Sequence, residues 1–386
     1  MRGSRQYRRD RFAAAIAALL FSAAVEAAGA LASGHLEDLR TQGEHVLAYA
    51  SFRYFEGNDW TAVRGLSGKW TERYSPRDGR NLALASARAE VGAAYGSWRL
   101  GYVYRKDVTI VADRGVLDLL YLQRNNLPMP AGRTFNLTLA AQAYEVEGPR
   151  VAKSFEFDWG KGTKVRIGLG VSSLEGNAVR STRVGGEVTA TGPARFALNV
   201  PWLDSYTKKS YLFLAPGSPS GHGYSLDGAL ELEWQGGSRA WLSVQDLYGR
   251  IFWREVPTTQ ANATTNTTTR DAQGSIVYLP AVSGQNSRLN FTQRIDPRIF
   301  AGYAQSFGGA TLAGEAFFLR GNLIPSVSID YRFGENWTLG AARDLRFGSV
   351  TLSAAWRKLS LALSSDQRDL GQARALGLAL RYSHAF

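Results

Sequence analysis

From about residue 45 onward, apolar and polar side chains alternate along the chain with a period of two. In the stretch 323–333, Leu323, Pro325, Val327, Ile329, Tyr331 and Phe333 fall on one face, and Ser326, Ser328, Asp330 and Arg332 on the other. In 224–235, Tyr224, Leu226, Gly228, Leu230, Leu232 and Trp234 alternate with Ser225, Asp227, Ala229, Glu231, Glu233 and Gln235. Val165, Ile167, Leu169 and Val171 alternate with Lys164, Arg166, Gly168, Gly170 and Ser172, and Trp98, Leu100, Tyr102 and Tyr104 with Arg99, Gly101 and Arg105. Successive side chains of a strand point to opposite faces, so each segment predicts a strand with one apolar and one polar side.

Turn chemistry punctuates these segments. Gly57-Asn58, Gly96-Ser97, Gly160-Lys161-Gly162, Gly176-Asn177, Gly236-Gly237, Gly308-Gly309, Gly321-Asn322 and Gly334-Glu335-Asn336 all tolerate the positive φ of tight turns. Strand candidates begin near residues 45, 60, 81, 97, 133, 149, 163, 178, 194, 222, 238, 286, 298, 310, 323, 336, 349, 358 and 374. That odd number conflicts with the even count of single-chain bacterial barrels, so the expectation is about 16 strands, within 14–18. Residues 203–221 and 254–287 read as long loops, extracellular or folded inward as a constriction, the second holding the Thr/Asn-rich tract from Thr258 to Thr269. Residues 113–126 break the period. Val116, Leu119, Leu120 and Gln123 lie at helical spacing, Asp113 can cap the start, and Pro128 and Pro130 stop it. The segment predicts one short helix, read as a helix at one mouth of the barrel rather than a plug or a strand.

The first residues are organised differently. Arg2, Arg5, Arg8, Arg9 and Arg11 precede the apolar run Phe12–Val25, and small residues follow. This is the layout of a secretory signal peptide over 1–27, with cleavage as late as residue 32. The body of the protein is then 33–386. The whole chain carries a net charge of +12; removing 1–27 takes away five Arg, Asp10 and Glu26 and leaves +9. Export argues against a nucleic-acid partner and leaves anionic surfaces or solutes. With no cysteine, an exported protein has neither disulfides nor thiolate chemistry. Beyond residue 33 no apolar run is long enough for a membrane helix. Aromatic residues near strand ends, Trp98, Tyr104, Trp234, Trp337, Trp356 and Tyr382, suit the two membrane–water interfaces. The long meander suits closure into a barrel, which satisfies every backbone group in lipid.

The last segment is the most specific. Leu376, Leu378, Leu380, Tyr382, His384 and Phe386 share one face, and Gly377, Ala379, Arg381, Ser383 and Ala385 the other. It resembles the terminal strand of Gram-negative outer-membrane β-barrel proteins, which ends on an aromatic residue after alternating apolar positions. The resemblance is porin-like in class and picks out no specific family. It implies an all-β fold, a single closed antiparallel transmembrane β-barrel in the outer membrane. It also implies an assembly signal at Tyr382, His384 and Phe386 read by the barrel-assembly machinery, and surroundings of outer-membrane lipid and lipopolysaccharide. His384 departs from the usual apolar residue at its place.

The polar faces supply the candidate lumen lining: Arg88, Glu90, Arg99, Arg105, Lys164, Arg166, Asp227, Glu231, Glu233, Asp330, Arg332, Arg357 and Arg381. Each would be costly facing lipid, about 2–4 kcal/mol for Arg or Lys at the midplane. Paired carboxylates such as Glu231 and Glu233 can perform acid–base chemistry, but a wet lumen is polar without it. His35, His45, His222 and His384 show no metal-ligand spacing, and no nucleotide-binding motif is present. No catalytic residue, metal or cofactor is expected. The expected function is a porin-like channel or export conduit with a mildly basic lumen for an anionic solute or polymer. The alternatives are a non-conducting structural or surface-interaction barrel, and a lipid-modifying enzyme built on one His and a Ser.

Overall fold

The computed structural model describes Leu39 and residues 45–386, apart from 68–69, 71–72, 161, 193–194, 212–216, 266–267, 271–275 and 279–280. The expected signal peptide and His35 lie outside the described residues. In chain order the elements are β1 (Leu47–Asn58), β2 (Arg80–Tyr95), β3 (Trp98–Asp113), helix α1 (Arg114–Arg124), β4 (Thr134–Asn136), β5 (Leu139–Asp158), β6 (Lys164–Val184), β7 (Glu187–Gly192), β8 (Arg195–Tyr206), β9 (Ser220–Glu233) and β10 (Ser238–Thr264). The chain continues through β11 (Thr268–Arg270), β12 (Ile276–Tyr278), β13 (Val282–Ile295), β14 (Arg298–Phe307), β15 (Ala310–Leu319), β16 (Asn322–Phe333), β17 (Trp337–Asp344), β18 (Val350–Trp356), β19 (Leu359–Ser365) and β20 (Ala375–Ala385).

Fourteen strands close into an antiparallel barrel, in the order β1, β2, β3, β5, β6, β9, β10, β14 to β20 and back to β1. Closure is a full ladder from Leu47 opposite Ala385 to Gly57 opposite Ala375, so the wall has no free edge there. Four further strands, β4, β7, β8 and β13, extend the same sheet, and β11 and β12 pair only with each other.

Fourteen corrects the expected 16, and the reasons are local. The candidate near residue 60 is a loop containing a short 3-10 turn at Val63–Ser67. The candidates near 163 and 178 are one strand, β6, whose glycines bend it without ending it. Those near 286 and 298 are two pieces of one wall line, β13 and β14, both paired with β10 and parted at Asp296-Pro297, where proline supplies no ladder donor. The expected loop 254–287 is mostly ladder. β10 continues to Thr264 against both β13 and β8, and β13 starts at Val282. The Thr/Asn tract reads as a loop by composition, but threonine is also a good strand residue. Likewise β8 runs to Tyr206, which shortens the loop expected over 203–221.

The wall is uneven in height. β17, β18 and β19 have 8, 7 and 7 residues, whereas β5, β6 and β10 have 20, 21 and 27. Over most of the circumference, from β3 round to β19, the outward positions form an exposed apolar belt: Leu100 (57% exposed), Leu169, Leu230, Leu242, Leu312, Val327, Leu339, Leu352 (64%) and Leu363. An exposed belt of this kind is stable only against lipid. The taller strands carry charge above it, as at Lys106, which is exposed beside Glu145 of β5.

Two apolar clusters occupy opposite faces of the β2–β3 hairpin. Leu82, Leu84 and Val111 point into the barrel and pack with Phe55, Phe300, Phe317, Leu319, Ile324, Phe347 and Ala375. Ala83 and Ala112, one position along, point outward and pack with Trp60, Trp70, Val116, Leu117, Phe135, Leu137 and Val188. α1 therefore lies on the outer side of the wall, at the end remote from the chain termini, which corrects the expected helix at the mouth. The hydrophobic spacing legible in the sequence is real, but the face it buries is met by outward alanines. Asp113 occupies the N-cap position without a side-chain cap bond. Asp118 instead accepts from Tyr74 Oη at 2.6 Å and from Arg133. Burial and this acceptor hold the Tyr74 phenol above its ordinary range.

Candidate functional site

The site is the interior of the barrel. Its central layer is a charged network that links strands from opposed parts of the wall. Arg105 of β3 donates from Nη1 and Nη2 to the Asp246 carboxylate of β10 at 2.7 and 2.6 Å. Asp246 also accepts from Ser225 Oγ at 2.7 Å, and its own amide donates to Asp227 at 2.9 Å. Arg298 of β14 donates to Asp107 of β3 at 2.5 Å and to Ser86 of β2 at 2.9 Å. Tyr144 donates to Asp107 at 2.7 Å. Glu90 gathers Arg88, Arg99 and Arg150 at 3.4, 3.5 and 3.7 Å and accepts from Tyr49 Oη at 2.9 Å; Arg150 continues to Asp227 at 3.0 Å.

Backbone detail places Asp246. β10 has a bulge between Val244 and Tyr248, with Asp246 at φ 57°. Gln245 and Asp246 both turn inward, while Leu247 and Tyr248 both turn outward and are exposed. A bulge re-aims a side chain in this way, and Asp tolerates the left-handed region better than most residues. Glycines make room for aromatic rings on the inner wall. A Cβ on Gly57 would stand 2.7 Å from the Phe347 ring, and one on Gly176 or Gly221 would stand 2.5 Å from the Trp253 ring.

The apolar layer lies on the far-end side of the charges. Phe300 and Phe317 stack with centroids 4.6 Å apart, and Phe55 of β1 meets Phe347 of the β17–β18 loop at 6.0 Å. A third cluster, Val103, Tyr144, Val146, Leu174, Val179, Ile251, Trp253, Val256 and Ile295, fills the side under the tall strands. All are buried, so side chains of the wall itself fill this part of the lumen.

The sequence-expected residues fall into groups. Arg88, Glu90, Arg99, Arg105 and Asp227 belong to the central network. Lys164, Arg166, Glu231 and Glu233 meet nearer the terminal end, where Arg166 reaches Glu231 at 2.6 Å, Glu233 at 2.8 Å and Glu156 at 2.9 Å. Asp330 and Arg381 are half-buried on β16 and β20, and Arg332 is exposed near the end of β16. Arg357 is a correction: it is the φ 52° residue of the β18–β19 turn, exposed beside the Trp356 ring, because the alternation of β18 stops at Trp356. Tyr382 is buried on β20, His384 lies edge-on to Phe386 at 4.7 Å, and the Phe386 amide donates to Val46 O at 3.0 Å. Asp107, Arg150, Asp246 and Arg298 were missed by sequence reasoning. The doublets Gln245-Asp246 and Leu247-Tyr248, which break the period of two, were the available signal for the bulge.

Among the described residues, no group of three His, Cys, Asp or Glu could hold a metal ion. His222 packs on the Phe252 ring and His384 on the Phe386 ring.

A closed ladder, an apolar outer belt and a polar interior define a membrane-spanning β-barrel of the bacterial outer-membrane class. No family model and no curated protein matches the chain. Solved structures similar in chain path include the P. putida toluene transporter TodX, at 9% identity over 92% of this chain and 93% of that one, with a TM-score of 0.42. A FadL homologue of Pseudomonas aeruginosa matches at 10% identity over 89% and 90%, TM-score 0.35. The translocator domain of the autotransporter NalP from Neisseria meningitidis matches at 10% over 91% of each chain, TM-score 0.31.

Proposed function

We propose that the protein is an outer-membrane conduit that stands closed at rest, its lumen shut by side chains of its own wall. The carrying observation is the pair of cross-wall links Arg105–Asp246 and Arg298–Asp107, with the Phe300–Phe317 layer beside them. An eight-stranded barrel is filled by side chains unavoidably, whereas fourteen strands enclose more space than that. Filling it with buried ion pairs is a costly way to gain rigidity, because well-packed apolar residues of similar volume do as well or better. Ion pairs do, however, give a lumen with two defined states. In this layer Arg53, Arg88, Arg99, Arg105, Arg150 and Arg298 outnumber Glu90, Asp107, Asp227 and Asp246, which gives the opened lumen a mild anion preference, since rings of charge set selectivity. In this reading the far end, with α1 and the tall strands, faces outward from the cell, and the chain termini face the periplasm.

A second reading, a non-conducting structural barrel, is favoured by the filled interior itself. Planar-bilayer recording of the refolded mature chain separates the two. Anion-preferring openings of the unmodified protein under voltage support the conduit. Silence of the folded wild type under all conditions, with openings only in Phe317→Ala or Phe347→Ala, overturns it and leaves the structural barrel.

A further inference from the structure

The outer wall carries uncompensated positive charge at one place. On β10 the outward positions after the bulge are Tyr248, Arg250, Phe252 and Arg254, alternating with the buried Gly249, Ile251 and Trp253. The register sets Arg250 directly opposite Arg294 of β13 on one side and Tyr224 of β9 on the other. Arg294 is exposed and points outward, since Gln293 and Ile295 on either side of it are buried. Side chains directly opposite on one face stand about 5 Å apart at Cβ, and like charges there destabilise a sheet. Inside the barrel, Asp246 and Asp107 neutralise Arg105. Outside, none of Arg250, Arg254 and Arg294 makes an ion pair or a side-chain hydrogen bond among the described residues. The carboxylates around them are engaged or a row away. Glu255 accepts from the Ser218 amide, Asp296 holds Arg320, and Glu175 of β6 stands opposite His222.

The height of this row is informative. Arg250 stands twelve residues beyond Ser238, where β10 begins, part of that length being taken up by the bulge. A membrane strand takes about 9–11 residues, so Arg250 lies just past the apolar band. Leu242, Leu247 and Tyr248 of that band are exposed on the terminal-end side of it. Aromatic rings mark the boundary, as at a membrane–water interface. Tyr224 lies 5.9 Å from Tyr248 and 6.2 Å from Phe252, and His222 lies 5.5 Å from Phe252. The Arg250 guanidinium sits 4.9 Å from the Tyr248 ring, a contact that orients the group and leaves its N–H donors unused.

We propose that this face binds the phosphorylated headgroup of lipopolysaccharide in the outer leaflet. One phosphate sits between Arg250 and Arg294, a second meets Arg254, and the acyl chains lie over Leu247 and Tyr248. The planar guanidinium fork pairs with phosphate oxygens through two N–H donors. Arg254 is four residues, about 13 Å, further along the strand. That spacing suits a headgroup with two separated phosphates. An ordinary phospholipid carries one phosphate and leaves Arg254 unused, and free phosphate has nothing to lay on the apolar band. The assignment rests on the orientation proposed above, with the far end outside the cell, and not on whether the lumen conducts.

The test is native mass spectrometry of the refolded mature chain released from a neutral detergent. The probes are bisphosphorylated lipid A, the same lipid with its phosphates removed, and phosphatidylglycerol. One lipid A bound per barrel is expected at concentrations that leave the other two unbound. The double variant Arg250→Gln/Arg294→Gln is expected to bind it roughly 10- to 100-fold more weakly, the factor for losing hydrogen bonds to a charged group. Both positions are exposed, so the temperature-dependent gel shift of the folded barrel is expected to persist. Lys106→Gln/Lys208→Gln removes equal charge from exposed positions elsewhere and is expected to bind as wild type does. Equal binding of phosphatidylglycerol or of the dephosphorylated lipid, unchanged affinity in the folded arginine variant, or equal weakening in the lysine variant each overturns the proposal. Orientation is read separately. The chain has no cysteine, so Ser218→Cys in the exposed β8–β9 loop gives a single thiol for an impermeant maleimide on intact cells. Labelling supports the far end outside; no labelling of the folded protein overturns that orientation and this proposal with it. Labelled cells with no lipid A bound by the purified chain sink this site alone, whereas a barrel that binds lipid A and never conducts sinks only the conduit.

Discussion

Asp246 shows how much one side chain can hold. Its carboxylate joins β3 and β9 to its own strand β10, with no exposure to solvent. Asp246→Asn keeps the left-handed backbone that asparagine also tolerates, but strands the Arg105 charge. Removing one partner of a buried pair costs about 3–5 kcal/mol, so the urea midpoint of the folded barrel should fall by that equivalent. A midpoint within error of wild type would mean that Asp107 alone neutralises Arg105. Gly176→Ala tests the opposite fault, overcrowding: its Cβ would stand 2.5 Å from Trp253. The expected loss is about 1–3 kcal/mol in the same unfolding assay, since packed interiors yield little to added atoms. Five residues of the central network could be picked out from alternation alone. Asp246, Asp107, Arg150 and Arg298 could not, because their importance comes from partners far away in sequence and, for Asp246, from a bulge that interrupts the very pattern being read.

Among the elements, strand existence was legible and strand identity was not. Period two marked the wall wherever one face met lipid and the other the interior, as in β16 and β9. It failed where the tall strands leave the membrane. There both faces meet water or protein, and the Thr/Asn tract of β10 loses its contrast. It also counted β6 twice, since glycine in a strand bends as readily as it ends. α1 was readable because three-to-four spacing is distinct from two, but spacing does not say which neighbour the apolar stripe will meet. Among the described residues, the β11–β12 hairpin pairs with no other strand of the sheet. Replacing residues 266–280 with a short Gly-Ser turn should therefore leave refolding yield and the temperature-dependent gel shift of the barrel unchanged. Loss of the folded band would show that the hairpin braces β10 against β13.

For the whole molecule, closure depends on β1 meeting β20 along eleven positions. Phe386 adds only one backbone bond at the end of that seam and is 74% exposed. Deleting it should barely change refolding of the purified chain in detergent, while lowering the amount assembled in the outer membrane of living cells. If both fall together, the residue is structural rather than a signal. The overall class was legible because lipid imposes it: a chain that crosses with strands has to close. What the strands enclose was not, since a filled and an open lumen demand the same polar alternation. The uneven wall has one more effect, on the solvent rather than on the protein. A strand of 7 residues, like β18 or β19, is about 24 Å long and, tilted by about 40°, spans roughly 18 Å, less than the ~25 Å apolar band of a typical outer-membrane barrel. Acyl chains beside β17–β19 must shorten or tilt to meet it. The bilayer is therefore pinched on one flank of the protein and not on the other, so neighbouring lipids and barrels encounter a molecule with a thin side and a thick side.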